Sequence, residues 1–306
     1  MAHKTPSARA ASLLAKLVSN SRLHMQSPST VESKLMSFLQ GGGKNLGVVA
    51  DFDRTLTSAS SCSAHGVMER VAGASEEYTR TTQANTAKFY PIEIDPKLTI
   101  EEKLPYMREW YSSNHAAMVG AGISSSSIDA AVLSAPVVMR PGAGALLSLL
   151  QSSAVPLLIF SAGLADVIER ILSSLLSLPP SPTTRVVSNR MSFSPSGEVT
   201  SFSEPLIHMF NKSQAAVPAP EQLRSPNQIL LGDGYGDRTM CDGAKVPPEA
   251  VLKIGFLNDH VEEKLEQYKG AFDVVCVGDG GMEFVIDIVR EVIEGKGEGG
   301  ELIDEM

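Results

Sequence analysis

Long apolar runs are missing from this 306-residue chain. None approaches the roughly 20 residues that a membrane-crossing helix needs, so the sequence predicts a soluble protein. Cysteine is scarce: Cys62, Cys241 and Cys276, with no Cys-x-x-Cys pair. That excludes a disulfide framework and a zinc ribbon, and it suits a reducing compartment such as the cytoplasm. Positive charge is in deficit, with 26 Lys and Arg against 35 Asp and Glu and a net charge of −9. A nucleic acid polymer is therefore excluded as the expected partner. A small phosphate ester remains compatible with an acidic chain if a divalent cation supplies positive charge locally. There is no internal repeat. The length suits one large domain or a core with an inserted module, and a monomer is the plain expectation.

What is present is a series of short apolar runs ending in Gly, Ser or Asp: "GVVAD", "VPLLIFSAG", "NQILLGDG", "VLKIGF" and "FDVVCVGDG". Alternating with amphipathic segments, they predict an α/β fold with a parallel sheet covered on both faces. In such sheets ligands sit outside the carboxyl ends of the strands, so the polar residues ending these runs should converge. Residues 58–135 read as consecutive helices, an inserted helical cap placed to act as a lid. Residues 25–57 and 136–306 would then form the catalytic core. Within it, "RVVSNRMSFSPSGEVTSF" marks a hairpin around Pro195-Ser196-Gly197. Residues 1–24 carry Lys, Arg and Ser but no acid, and read as a disordered or loosely helical extension or an organellar targeting segment. The Gly- and Glu-rich end, "GKGEGGELIDEM", reads as frayed.

Four strand-end or loop segments could carry chemistry. In "GVVADFDRTLTS", Asp51 and Asp53 leave the first apolar run one residue apart. Two such carboxylates repel unless a cation or shared proton relieves them, so a metal-assisted phosphate site and simple turn or helix capping both fit. In "IFSAG", Ser161 and the backbone at Ala162 can cradle a phosphate at a helix start, or Ser161 can be an N-cap. In "LLGDGYGDR", Asp233 and Asp237 suit a hard cation such as Mg²⁺. Asp279, in "VCVGDGGME", also follows an apolar run, but no second acid accompanies it and it reads as a turn. Lys212, in "IHMFNKSQA", is either a solvated surface charge or the positive partner that such a site needs.

In this order, "DFDRTLT", "FSAG", "FNKSQ" and "GDGYGD" resemble the haloacid dehalogenase superfamily of phosphotransferases. The segments "YPIEIDPKLTIEEKLPYMREWYSSNH", "IFSAGLADVIERIL", "VVSNRMSF", "LIHMFNKS", "LLGDGYGDRTMCDG" and "LKIGFLND" are similar to the cytosolic 5′-nucleotidase III, or pyrimidine 5′-nucleotidase, family. The similarity spans roughly residues 29–289. It implies a Rossmann-like core and a Mg²⁺-dependent 5′-nucleotidase acting on nucleoside 5′-monophosphates, pyrimidine ones preferred and 7-methylguanosine 5′-phosphate a further candidate. By this resemblance Asp51 is the nucleophile and Asp53 the general acid and base. Ser161, Ala162 and Lys212 hold phosphate, and Asp51, Asp53 (through its backbone carbonyl) and Asp233 hold the metal. Asp237 orients the metal site or Lys212, and Glu93 contacts the base. This sequence departs from the family in a shorter loop after Asp53, in "GDG" where "GDS" is expected, and in Asn114 where the lid has a serine.

Other readings stand beside this one: a phosphoserine or sugar-phosphate phosphatase of the same superfamily, a nucleoside phosphotransferase, and a non-catalytic binding module. Without the resemblance, Glu93 reads as a surface acid beside a turn at Asp95-Pro96. The presence of every expected acid weighs against the binding module, and the lid sequence weighs against a small amino-acid substrate.

Overall fold

The computed structural model describes residues 5–71, 75–95, 97–218 and 222–295. The chain opens with helix α1 (Pro6–Ser19), strand β1 (Leu23–His24), helix α2 (Pro28–Gly41) and strand β2 (Leu46–Ala50). Helices α3 (Ala64–Met68), α4 (Glu76–Ile94), α5 (Ile100–Gly120) and α6 (Ser125–Ser134) follow without an intervening strand. Then come α7 (Ala143–Ser152), β3 (Leu157–Leu164), α8 (Ala165–Leu176), β4 (Thr184–Asn189), β5 (Met191–Phe193) and β6 (Val199–Phe202). The remainder is β7 (Asn227–Gly232), β8 (Ala250–Leu257), α9 (Val261–Ala271), β9 (Val274–Val277) and α10 (Glu283–Glu294).

Seven strands form one sheet in the order β1-β9-β8-β7-β2-β3-β4, parallel except for β1. All five residues of β2 are buried, as a strand sandwiched between helical layers requires. Register explains how distant segments meet. Ala50 lies opposite Ile159 of β3 and Leu231 of β7. Asp51 follows Ala50 directly, and Ser161 and Asp233 lie two residues past Ile159 and Leu231, so the three reach the same carboxyl edge of the sheet.

The helical segment that follows β2 is bracketed by Thr57 and Met139, which pair as an isolated bridge. Between them α4 and α5 lie against each other, each begun by a hydroxyl cap, Ser75 and Thr99. The segment is fastened again at the β5–β6 hairpin. Ser125 N–H donates to Gly197 O, and His115 of α5 stacks on Phe202 with ring centroids 3.8 Å apart.

The N-terminal expectation is corrected. Instead of a loose tail, residues 6–19 form a helix capped by Thr5, with Ala10, Leu13 and Leu17 buried. Those three residues make a single i, i+3, i+7 stripe matched to α2 and α10, and Arg9 Nε donates to Glu291 Oε2 at 3.0 Å. A short apolar face suffices when a partner surface exists for it. β1 then adds an antiparallel edge to β9. The tail beyond Gly295 lies outside the described residues. Among the described residues, no helix is long and apolar enough to cross a membrane.

Candidate active site

At the carboxyl edge of the sheet, Asp51, Asp53, Ser161, Ala162, Lys212, Asp233 and Asp237 line one cavity of ≈470 Å³. Asp51, Asp233 and Asp237 bring carboxylate oxygens within 4.8 Å of one another. Lys212 is 5% exposed, so the surface reading of this residue does not hold. Its Nζ donates to Asp51 Oδ1 and, at 2.8 Å, to Asp237 Oδ1. Burial works against the ammonium, but Asp237 and Asp51 outweigh it and raise the Lys212 pKa above the ordinary lysine value.

Asp237 is committed to protein partners on both oxygens. Its Oδ2 accepts from Gly234 N–H at 2.8 Å, closing the tight turn after β7. A side chain at Gly232 would collide with Asp237, which is why this loop needs glycine. Tyr268 donates its hydroxyl to Asp233 O at 2.7 Å, and Arg54 Nε approaches Asp233 Oδ2 at 3.4 Å.

Burial pushes Asp51 up to about 7, with Lys212 pulling it back and Asp237 adding to the rise. Asp233 is raised well above the usual carboxylate range by burial, then by Asp51 and Asp237. Three carboxylates against Lys212 and Arg54 leave excess negative charge in a set of hard oxygen donors. The residues present thus fit a divalent cation.

Asp53 stands apart from this cluster. Its Oδ1 accepts from Ala64 N–H, at the start of α3, at 2.9 Å, and burial raises its pKa to about 6. Its carboxylate is therefore positioned by the first helix after β2, while Asp237 takes the third place in the acidic cluster. Gly163 packs between the two: a Cβ there would meet Ala64 Cβ at 3.0 Å and Asp53 Oδ2 at 3.3 Å. Ser161 is inside β3 and is not a helix cap; the N-cap of α8 is Leu164, which makes no side-chain cap. The Ser161 Oγ accepts from Gly163 N–H at 3.0 Å.

Asp279 sits in the turn after β9 with a left-handed φ of 54°. Its Oδ1 accepts from Ala59 N–H at 2.9 Å and pairs with buried Arg140 at 3.0 Å, away from the acidic cluster.

The opposite wall of the cavity comes from the helices inserted after β2: Tyr78, Thr82 and Thr86 on α4, and Trp110, Asn114 and Met118 on α5. Each set recurs every fourth residue, the signal by which sequence reasoning could have found this face. His65 and Tyr111 complete the wall in an edge-on contact, 5.7 Å between centroids. Burial lowers the His65 pKa to about 4, which keeps the imidazole neutral. Trp110 Nε1 and the Tyr78 hydroxyl are buried without a hydrogen-bond partner among the described residues. Asn114 Oδ1 accepts from Asn85 Nδ2 at 2.8 Å.

Glu93 is not part of the cavity wall. It occupies the last turn of α4, where burial raises its pKa to about 7 against the pull of Lys103 and Lys212. Burial, and then the nearby charge of Glu93, raise the pKa of the Tyr111 phenol. The turn placed at Asp95-Pro96 lies partly outside the described residues.

Residues 53–293 match the family described as "Pyrimidine 5'-nucleotidase (UMPH-1)". The chain is 36% identical over 279 residues to a 7-methylguanosine phosphate-specific 5′-nucleotidase of Mus musculus, covering 88% of this chain and 92% of that protein. A Drosophila melanogaster protein of the same description is 32% identical over 271 residues, covering 85% and 83%. Among solved structures, cytosolic 5′-nucleotidase IIIB bound to cytidine superposes with a TM-score of 0.83 at 28% identity, covering 91% of this chain and 97% of that one. The fold is a Rossmann-like α/β core with helices on both faces of a mostly parallel sheet.

Proposed function

Because the chain belongs to the pyrimidine 5′-nucleotidase family, we propose that it hydrolyses nucleoside 5′-monophosphates, pyrimidine nucleotides and 7-methylguanosine 5′-phosphate, to nucleoside and phosphate. The observation that carries this reading is one cavity with an ionic end on the sheet edge and an aromatic wall facing it. A phosphate and a flat base need those two environments together. A phosphoserine or sugar phosphate has no use for Trp110, Tyr111 and His65. An aromatic face also suits the positively charged ring of 7-methylguanine.

In this reading Asp51 attacks phosphorus and forms an aspartyl-phosphate as the ribose 5′-oxygen leaves. Asp53, whose raised pKa keeps a protonated fraction near neutrality, gives its proton to that oxygen. It then takes a proton from the water that hydrolyses the intermediate, regenerating both aspartates and releasing phosphate. The Ser161 hydroxyl, the backbone at Ala162 and the Lys212 ammonium hold phosphoryl oxygens as charge shifts among them. Asp237 holds Lys212 in place. Asp51, the carbonyl of Asp53 and Asp233 would hold Mg²⁺, which when bound supplies positive charge beside the phosphate. We place the reaction in the cytosol, as the name of the solved relative has it.

The test is a panel of CMP, UMP, 7-methylguanosine 5′-phosphate, phosphoserine and an aryl phosphate, assayed with Mg²⁺ and with acid-quench trapping of labelled phosphate on the chain. Trapping and turnover should vanish in Asp51→Asn. In Asp53→Asn turnover should fall about 10²- to 10⁴-fold, the usual worth of general acid–base catalysis. Product analysis with added nucleoside separates hydrolysis from transfer. A preference for phosphoserine over every nucleotide would overturn the reading, as would full activity in Asp51→Asn.

A further inference from the structure

Asn189, the last residue of β4, is fully buried, and its side chain joins two segments that carry phosphate-binding groups. Its Oδ1 accepts from Ile207 N–H at 2.9 Å, and its Nδ2 donates back to Ile207 O at 2.8 Å. This paired contact fixes which way the amide faces. The same Nδ2 also donates to the carbonyls of Ala162 at 3.0 Å and Gly163 at 3.1 Å. No step of the proposed reaction uses this residue, yet it grips the loop that follows Ser161.

The chain of contacts reaches the reacting group. A peptide unit is planar and trans, so the carbonyl of Ala162 and the N–H of Gly163 point in opposite directions. Anchoring that carbonyl on Asn189 therefore aims the Gly163 N–H the other way, onto Ser161 Oγ at 3.0 Å. With its oxygen already accepting, the Ser161 hydroxyl is left to act as a donor, the role a phosphoryl oxygen requires. On its other side Asn189 holds Ile207, and the next turn is closed by Asn211, which accepts from His208 N–H at 2.8 Å and donates to Leu206 O at 2.8 Å. Lys212 follows directly.

We propose that Asn189 is a positioning residue for phosphate binding: it sets the Ala162–Gly163 peptide so that the Ser161 hydroxyl faces the phosphoryl group as a donor. This inference rests on the reading of Ser161 given above and adds a residue that touches neither substrate nor metal.

The experiment is a double-substitution cycle on Mg²⁺-loaded protein, with wild type, Asn189→Ala, Ser161→Ala and the double variant. Affinity for inorganic phosphate and for the nucleoside product is measured by calorimetry. Asn189→Ala should weaken phosphate about 10- to 100-fold, the scale on which small misplacements act, and leave nucleoside affinity unchanged. In the Ser161→Ala background it should add less than about threefold, since coupled residues do not add. Asn189→Ser, which leaves a smaller void than alanine and supplies a hydroxyl in place of the amide, gives the same comparison if the alanine variant does not fold. Additive losses, or equal weakening of phosphate and nucleoside, would overturn this inference alone. Unchanged phosphate affinity in Ser161→Ala would overturn the assignment of Ser161 and this inference with it.

Discussion

Replacing Lys212 by methionine keeps the length of the side chain and removes the one ammonium set between Asp51 and Asp237. At 2.8 Å and an effective dielectric of 20, the attraction to Asp237 alone is about 6 kcal/mol. Burial of the ammonium offsets part of that, and breaking a buried pair from one side costs about 3–5 kcal/mol in practice. In chelator, Lys212→Met should therefore melt on the order of 5–15 °C below wild type. The variant's acidic cluster is one charge more negative, so divalent cations should bind it more tightly and recover more of the melting temperature than they do in wild type. Turnover should nonetheless fall about 10²- to 10³-fold, because a bound cation does not replace a donor aimed at the phosphoryl oxygens. Thermal unfolding across a Mg²⁺ titration, paired with initial rates at saturating Mg²⁺, reads both effects. An unchanged melting temperature in chelator would refute the electrostatic argument. Recovery of full activity by Mg²⁺ would refute the phosphate role.

Asp233→Ala should raise the Mg²⁺ concentration needed for activity, while Asp279→Ala should leave it unchanged and lower stability by about 1–3 kcal/mol through its lost bond to Ala59 and ion pair with Arg140; metal titrations and denaturant unfolding of the two variants check the contrast. Glu93 does not line the cavity, so any part in base recognition would act through neighbouring Tyr111. In that case Glu93→Ala should cut kcat/KM on nucleoside monophosphates about 10- to 100-fold and spare an aryl phosphate, and equal losses on both would withdraw the base-recognition role. His115, buried against Phe202, has its pKa lowered to about 3 by burial and then by His65. The unfolded chain binds that proton first, so its stabilising contribution is full above the ordinary histidine value and is lost as pH falls from about 6.5 towards 3, on the order of 2–5 kcal/mol. Denaturant unfolding at several pH values should show a shallower acid limb in His115→Phe, and an identical slope would dismiss the contribution.

The sheet edge was legible because a parallel sheet turns chain order into proximity. Runs ending in Asp51, Ser161 and Asp233 had to pair as neighbours, and β2 lies between β3 and β7. Lys212 was ambiguous from its own neighbourhood, since only its burial between two aspartates distinguishes it from a surface lysine. Helix α1 was misread for a related reason. Ala10, Leu13 and Leu17 make a weak stripe alone, and their value comes from α2 and α10, the latter more than 250 residues away in sequence. Asn189 and Tyr268 left no local trace, because their partners are backbone groups, which nearly every residue supplies.

The two ends of the cavity also differ in what sequence change can do to them. Asp51 and Asp233 follow strands locked by register, so moving either would shift a whole ladder of hydrogen bonds. The facing wall is built from every fourth residue of α4 and α5, and a substitution there alters one contact while the helix stays in place. Asn114 illustrates this. With one lone pair of its oxygen taken by Asn85, it keeps its amide N–H groups and the second lone pair for other partners. A substitution at Asn114 would thus change one contact of this wall and leave the ionic end untouched.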